Sequence, residues 1–225
     1  VPLAAVVFDF DGVLADSEPL HLRAFQAALE PHGRHLDKQT YFDRYLGFDD
    51  VGAFRAVARD QHWSISDAEL SALVSAKSHH FSTLTAAGEA LFPGAAECVR
   101  RIAAEVPIAI ASGALGGEIE ALLDATGLRP LFRTIVAAGD TSQSKPAPDP
   151  YLEAVARLRP LVTEPKGRFV AIEDSYWGIT SAQSAGLRCL GVAQTYPASA
   201  LTAADAVVAS IADVDLALLR RLAVQ

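Results

Sequence analysis

Leu3-Ala4-Ala5-Val6-Val7-Phe8-Asp9-Phe10-Asp11-Gly12 is an apolar run that stops abruptly at two aspartates one residue apart. A stretch that is apolar on both faces fits a strand of a covered parallel sheet. In extended backbone, residues i and i+2 point to the same side, so Asp9 and Asp11 emerge together where the strand ends. That end of an open α/β sheet is where ligands bind. Two neighbouring carboxylates repel each other, and either a divalent cation or a proton on one of them relieves the repulsion. Both outcomes are chemically useful: a cation-bound carboxylate can attack phosphorus, and a protonated one can donate to a leaving oxygen. Gly12 permits a tight turn and a close backbone approach. The same Asp-x-Asp-Gly pattern also opens a calcium loop. That loop needs a preceding helix and further ligands at alternate positions, whereas a strand precedes this one and Val13 follows it.

Outward from this strand, short apolar runs alternate with amphipathic ones. Residues 3–8, 106–111, 134–137, 169–172, 187–192 and 206–209 read as strands, and residues 95–104, 118–126, 150–158, 178–185 and 214–222 as helices. The alternation predicts a doubly wound, mainly parallel α/β sheet of Rossmann-like form. One interval breaks the rhythm, with only helical patterns at 18–29, 38–45, 50–61 and 66–84. It reads as an inserted all-helical domain at 18–87 within an α/β domain formed by 1–17 and 88–225, with Leu91-Phe92-Pro93-Gly94 marking the return.

The bulk composition is compatible with this. A chain of 225 residues that is 51% hydrophobic can build a substantial core. A net charge of -8 without a basic block argues against nucleic acid and leaves room for a small phosphorylated metabolite held by a cation and local donors. Cys98 and Cys189 sit in apolar contexts without ligand spacing and read as buried thiols in a reducing compartment. No apolar run reaches the ~18 residues of a membrane span. The expectation is a soluble cytoplasmic protein, a monomer or small homo-oligomer with no membrane partner.

Three further stretches carry chemistry. Phe169-Val170-Ala171-Ile172-Glu173-Asp174-Ser175 is a second apolar strand ending in two acids before a helix; Ser175 or Asp174 suits a helix cap, and with Asp9 and Asp11 the pair suits a shared magnesium site. Ala111-Ser112-Gly113-Ala114 offers a hydroxyl and free amides ahead of a helix, as a phosphoryl group requires. In Lys145-Pro146-Ala147-Pro148-Asp149-Pro150 the prolines are expected to hold the chain extended and Asp149 to cap the next helix. Lys145 is left to offset carboxylate repulsion and bind phosphate.

Taken in order, Asp9-Phe10-Asp11-Gly12-Val13, Ala111-Ser112-Gly113, Lys145-Pro146-Ala147-Pro148-Asp149 and Ile172-Glu173-Asp174-Ser175 resemble the haloacid dehalogenase superfamily, in its β-phosphoglucomutase-like branch with a helical cap. The resemblance implies that Asp9 becomes a phosphoaspartate. It implies that Asp11 acts as general acid and then general base, and lends its backbone carbonyl to Mg2+. Asp174 is then a metal ligand, Glu173 a ligand or the partner of one, and Ser112 with Gly113 and Lys145 holds the phosphoryl group. It further implies that the helical insertion closes over the site and selects the substrate, with His21, Gly47 and Lys77 as candidate substrate contacts. A solvated surface position is the simpler expectation for Lys77, and His79 and His80 read as surface. Leu46, Asp49 and Asp50 are poor partners for a second phosphate, and the orientation of the nearby Arg44 and Arg55 is open. The combined reading is Mg-dependent hydrolysis of a small phosphate monoester such as a sugar or polyol phosphate. A phosphomutase using a bisphosphate intermediate and a non-enzymatic phosphate-binding or signalling protein are the alternatives.

Overall fold

The structure, a computed structural model, describes residues 1–45, 48, 50–86 and 90–224. The chain forms two compact units, one of Val1–Asp16 with Ala90–Gln225 and the other of Ser17–Glu89. No described helix is long and apolar enough to cross a membrane.

The first unit holds a six-stranded sheet. Its strands are β1 (Leu3–Phe8), β2 (Ile108–Ala111), β3 (Phe132–Val136), β4 (Arg168–Glu173), β5 (Arg188–Val192) and β6 (Ala206–Val208). They lie in the order β3-β2-β1-β4-β5-β6, with every pairing parallel. The predicted α/β class is therefore the observed one. Successive connections run to one side of β1 as far as β3 and then cross to the other side at β4. A crevice opens where the connections diverge, outside the carboxyl ends of β1 and β4. Val6 pairs with Ile108 on one side and Val170 on the other, and Asp9 N–H donates to Ile172 O at 2.9 Å. That register sets the acids of β1 beside those of β4.

Every residue of β1 is buried, as its two-sided apolar pattern requires. On one face Val7, Ala109 and Ala171 pack with Tyr151, Ala154 and Leu158 of one helix and Ile179 and Ala182 of another. The helices of the chain are α1 (Glu18–Leu29), α2 (Lys38–Arg44), α3 (Asp50–Asp60), α4 (Asp67–Ala86), α5 (Ala95–Ala103), α6 (Gly116–Ala125), α7 (Asp149–Leu158), α8 (Tyr176–Ser184) and α9 (Leu216–Val224). The first four belong to the second unit. On the sheet, α7 covers β1, β2 and β3, α8 covers β4 and β5, and α9 packs on β1, β4 and β5.

Three local expectations change. The segment 145–149 is a turn, not extended: the Lys145–Pro146 peptide is cis and Ala147 N–H donates to Ser144 O at 3.0 Å. A proline φ near -65° suits a turn as well as an extended chain, and Pro148 takes helical angles (φ -72, ψ -11). Asp149 is not a cap but the first residue of α7, where its carboxylate accepts from Ser142 Oγ at 3.0 Å. Strand β2 starts later than 106 because Val106 N–H bonds Ile102 O in the turn that follows α5.

The helical unit has its own core, with Leu22, Phe25, Leu29, Tyr41, Phe54, Val57, Leu70 and Leu73 packed together. Within it lies a polar group that corrects the surface reading of Lys77, which is only 2% exposed. Leu73, Lys77 and Phe81 recur every four residues, so the lysine falls on the apolar side of α4. Its ammonium meets Asp50 Oδ1 at 2.8 Å and His21 Nδ1 at 2.9 Å, and lies 5.1 Å from the ring centres of both Phe25 and Phe81. His21 stacks on Phe81 at 4.1 Å. Burial first, and the Lys77 ammonium second, push the His21 imidazole down to about 3. Its Nδ1 therefore accepts a hydrogen bond from the Lys77 ammonium, and the ring hydrogen sits on Nε2. Arg44 and Arg55 lie on the surface, paired with Asp60 (2.8 Å) and Asp67 (3.4 Å). His79 is exposed and His80 half-buried. Leu46, Gly47 and Asp49 fall outside the described residues.

Asp50→Ala leaves the Lys77 ammonium buried without its anion and is expected to cost about 3 kcal/mol, read from the midpoint of urea unfolding. Adding Lys77→Met should recover most of that loss; a double variant no more stable than the single one would contradict the pairing.

Candidate active site

Four of the expected residues meet at the carboxyl ends of β1 and β4. Lys145, on the turn before α7, places Nζ 2.9 Å from Asp9 Oδ1 and 2.6 Å from Glu173 Oε1. Asp9 Oδ1 also accepts the Phe10 N–H at 2.7 Å. Glu173 is fully buried and well supplied with donors. Its Oε1 takes Tyr151 O–H at 2.8 Å besides Lys145, and its Oε2 takes Asp174 N–H, Ser175 N–H and Ser175 O–H at 3.2–3.4 Å. Ser175 then caps α8 by accepting from Gly178 N–H at 3.1 Å. A Cβ built at Gly178 would overlap the Glu173 carboxylate, so a glycine is required where the helix passes the buried acid.

Asp9, Glu173 and Asp174 each offer one oxygen, and the three lie within 4.8 Å of one another. Among the described residues the charges do not balance, since three buried carboxylates face the Lys145 ammonium. Burial, and then Glu173, push the Asp9 carboxyl well above its usual range, against the pull of Lys145. Burial and Glu173 push Asp174 up to about 7. Burial would lower the Lys145 ammonium, but Asp9 and Glu173 outweigh it and hold the group above its ordinary range. A buried oxygen cluster with surplus negative charge fits a hard divalent cation such as magnesium.

Asp11 is half-buried on the turn directly after β1. Gly12, at φ +76, closes that turn, and a Cβ there would overlap the Asp174 carboxylate. Ser112 directly follows β2, where its N–H bonds Val136 O at 2.9 Å and its buried Oγ accepts from Ala114 N–H at 3.0 Å. Ser112, Gly113 and Lys145 line one cavity of about 380 Å³ with Gly139, Thr141 and Ser144. His21 and Lys77 meet each other inside the helical unit. Gly47 is not among the described residues.

Sequence reading missed Tyr151, Gly178 and the pair Gln194 and Thr195. Tyr151 has core spacing with Ala154 and Leu158, which hides its hydroxyl's role. Gly178 offers a signal in hindsight, standing three residues beyond a capping serine where helices seldom favour glycine. Gln194 and Thr195 follow β5 without any motif.

The chain as a whole has known counterparts. The profile of the haloacid dehalogenase-like hydrolases matches residues 3–186. The CbbY protein of Rhodobacter capsulatus is 34% identical over 195 residues, covering 83% of each chain. The fructose-1-phosphate phosphatase YqaB of Escherichia coli is 28% identical over 189 residues, covering 84% of this chain and 96% of its own. Among solved structures, a CbbY variant from Rhodobacter sphaeroides in complex with xylulose-1,5-bisphosphate superposes with a TM-score of 0.77 at 31% identity, over 96% of this chain and 99% of that one. The chain belongs to the haloacid dehalogenase-like hydrolases. Within that family it is a phosphatase.

The raised carboxyls fix the sign of a pH effect. In the unfolded chain an aspartate ionises near pH ~3.9, whereas folded Asp174 keeps its proton up to about 7. Between those values the folded state binds more protons, so this group loses stability as pH rises, by about 1.4 kcal/mol per unit. Asp9 acts in the same direction. A divalent cation takes the proton's place. The rise in Tm produced by magnesium should therefore widen from about pH 5 to about pH 8; a constant increment would contradict the cation site.

Proposed function

We propose that the protein hydrolyses a small phosphate monoester, a sugar or polyol phosphate, with magnesium and through a phosphoaspartate on Asp9. The observation that carries this reading is the Lys145 ammonium spanning Asp9 and Glu173 at 2.9 and 2.6 Å beside Asp174. A carboxylate at the end of a central strand, oriented by an ammonium that can also meet a phosphoryl oxygen, is arranged to attack phosphorus.

In the first step an Asp9 carboxylate oxygen forms a bond to phosphorus as the bond from phosphorus to the alcohol oxygen breaks. Asp11 gives its proton to the departing alkoxide. In the second step Asp11 takes a proton from water as the water oxygen bonds to phosphorus. The bond from phosphorus to Asp9 then breaks, releasing inorganic phosphate and restoring the carboxylate. Lys145, the Ser112 hydroxyl and the Gly113 amide hold the phosphoryl oxygens throughout. Asp9, Asp174, the Asp11 carbonyl and, directly or by its charge, Glu173 would hold magnesium, which supplies charge neutralisation at the phosphoryl group. Glu173 keeps Lys145 ionised and aimed.

The relatives support a sugar phosphate, since one is named for fructose 1-phosphate and another binds xylulose-1,5-bisphosphate. Choice of the alcohol is assigned to the helical unit, with His21, Gly47 and Lys77 as the positions to substitute. Hydrolysis is favoured over mutase chemistry because Arg44, Arg55 and Lys77 are each paired with a carboxylate, which weakens them as partners for a second phosphate. Cys98 and Cys189 are free and buried, which supports a reducing, cytoplasmic setting.

Asp9→Asn is expected to abolish magnesium-dependent release of phosphate from a panel of sugar and polyol phosphates while circular dichroism stays that of the parent. Retained turnover in that variant would rule out Asp9 as the nucleophile.

A further inference from the structure

The turn that carries Asp11 is closed from within by its amides. Phe10 O accepts from Val13, Leu14 and Ala15 N–H at 3.4, 2.9 and 2.9 Å, and Gly12 N–H donates to Ala15 O at 2.9 Å. Its outward carbonyls are met by side chains from far along the chain. Gln194, just past β5, donates from Nε2 to Gly12 O and to Val13 O, both at 3.0 Å. Its Oε1 accepts from Ile211 N–H at 2.9 Å and lies 3.5 Å from Ser210 Oγ. A backbone N–H on the oxygen and two carbonyls on the nitrogen leave this amide a single orientation. Thr195 Oγ1 adds a longer contact to Gly12 O at 3.4 Å. On its other side the turn abuts the Asp174 carboxylate, which leaves no room for a Cβ at Gly12.

We infer that Gln194 is a positioning residue for Asp11. Its carboxamide ties the turn at residues 12 and 13 to the segment at 210–211, and so fixes where the Asp11 carboxyl can deliver its proton. The inference rests on the acid–base role proposed for Asp11. Glu at 194 would set a carboxylate against two carbonyl oxygens and push the turn away. Met at 194 would keep the bulk and remove both donors. A displacement of about 1 Å at an acting group is enough to cost about a hundredfold in rate.

The test exploits leaving-group chemistry. An alkoxide needs a proton as it leaves, whereas p-nitrophenolate leaves without one. The quantity to measure is kcat/KM for glycerol phosphate divided by kcat/KM for p-nitrophenyl phosphate, with magnesium, in the parent and in Gln194→Glu, Gln194→Met and Asp11→Asn. Both constants report the steps up to alcohol release, and the ratio cancels any difference in folded fraction. Both Gln194 variants should lower the ratio by about tenfold or more, in the same direction as Asp11→Asn. A substitution that merely loosened the fold would lower both constants alike. An unchanged ratio in both Gln194 variants of an active enzyme overturns this inference alone. Hydrolysis of neither ester by the parent overturns the proposed function, and this inference with it.

Discussion

One ammonium, Lys145, is shared by two buried carboxylates, Asp9 and Glu173, and much of the α/β unit is arranged to make that possible. Burying such charges is costly unless each is paired and hydrogen-bonded. The sheet contributes by setting β1 beside β4, so that two apolar strands end in acids at the same level. Helix α7 contributes Tyr151, whose hydroxyl takes up a Glu173 oxygen while its ring lies 5.1 Å from the Lys145 ammonium. Helix α8 contributes the Ser175 cap and the vacant side of Gly178. Each feature that looks like local fold chemistry is thus also a condition on where Lys145 points.

The pairing is deliberately incomplete in charge. Asp174 stands beside Asp9 and Glu173, and burial with mutual repulsion raises both Asp9 and Asp174. An isolated protein with this cluster holds protons that a cation would displace. The helical unit solves the opposite problem. Its buried Lys77 meets one carboxylate, Asp50, and a neutral imidazole, His21, so that cluster carries no surplus charge. The surplus at the strand ends suits a cation, while the Lys77 cluster balances its own charge.

Much of this was legible in the sequence because it rests on short-range patterns. The two-sided apolar runs give β1 and β4 almost residue for residue, and the lack of strands between 18 and 87 isolates the helical unit. Asp9, Asp174, Glu173 and Lys145 stand where strand ends and a proline-rich turn predict chemistry. What the sequence hid has a common physical cause, namely contacts between distant segments. Gln194 meets Gly12 across more than 180 residues, and no local pattern marks it. Tyr151 has the spacing of a core residue and is one, yet its hydroxyl belongs to the site. Lys77 reads as a surface residue by its charge alone, although Leu73 and Phe81 mark its side of α4 as buried. The turn at 145–149 is not legible in the sequence because proline restricts φ without choosing between extended and turned chain.

The central claim is that the Asp9 carboxylate itself bonds to phosphorus while Lys145 orients it. It is tested most directly by quenching the enzyme during turnover and reducing the trapped acyl phosphate with borohydride, then locating the product by peptide mass spectrometry. The account predicts homoserine in place of Asp9, formed only when a phosphate ester and magnesium are both present and strongly diminished in Lys145→Met. Substrate-dependent reduction at Asp11 or Asp174, or none at all while phosphate is being released, would contradict it.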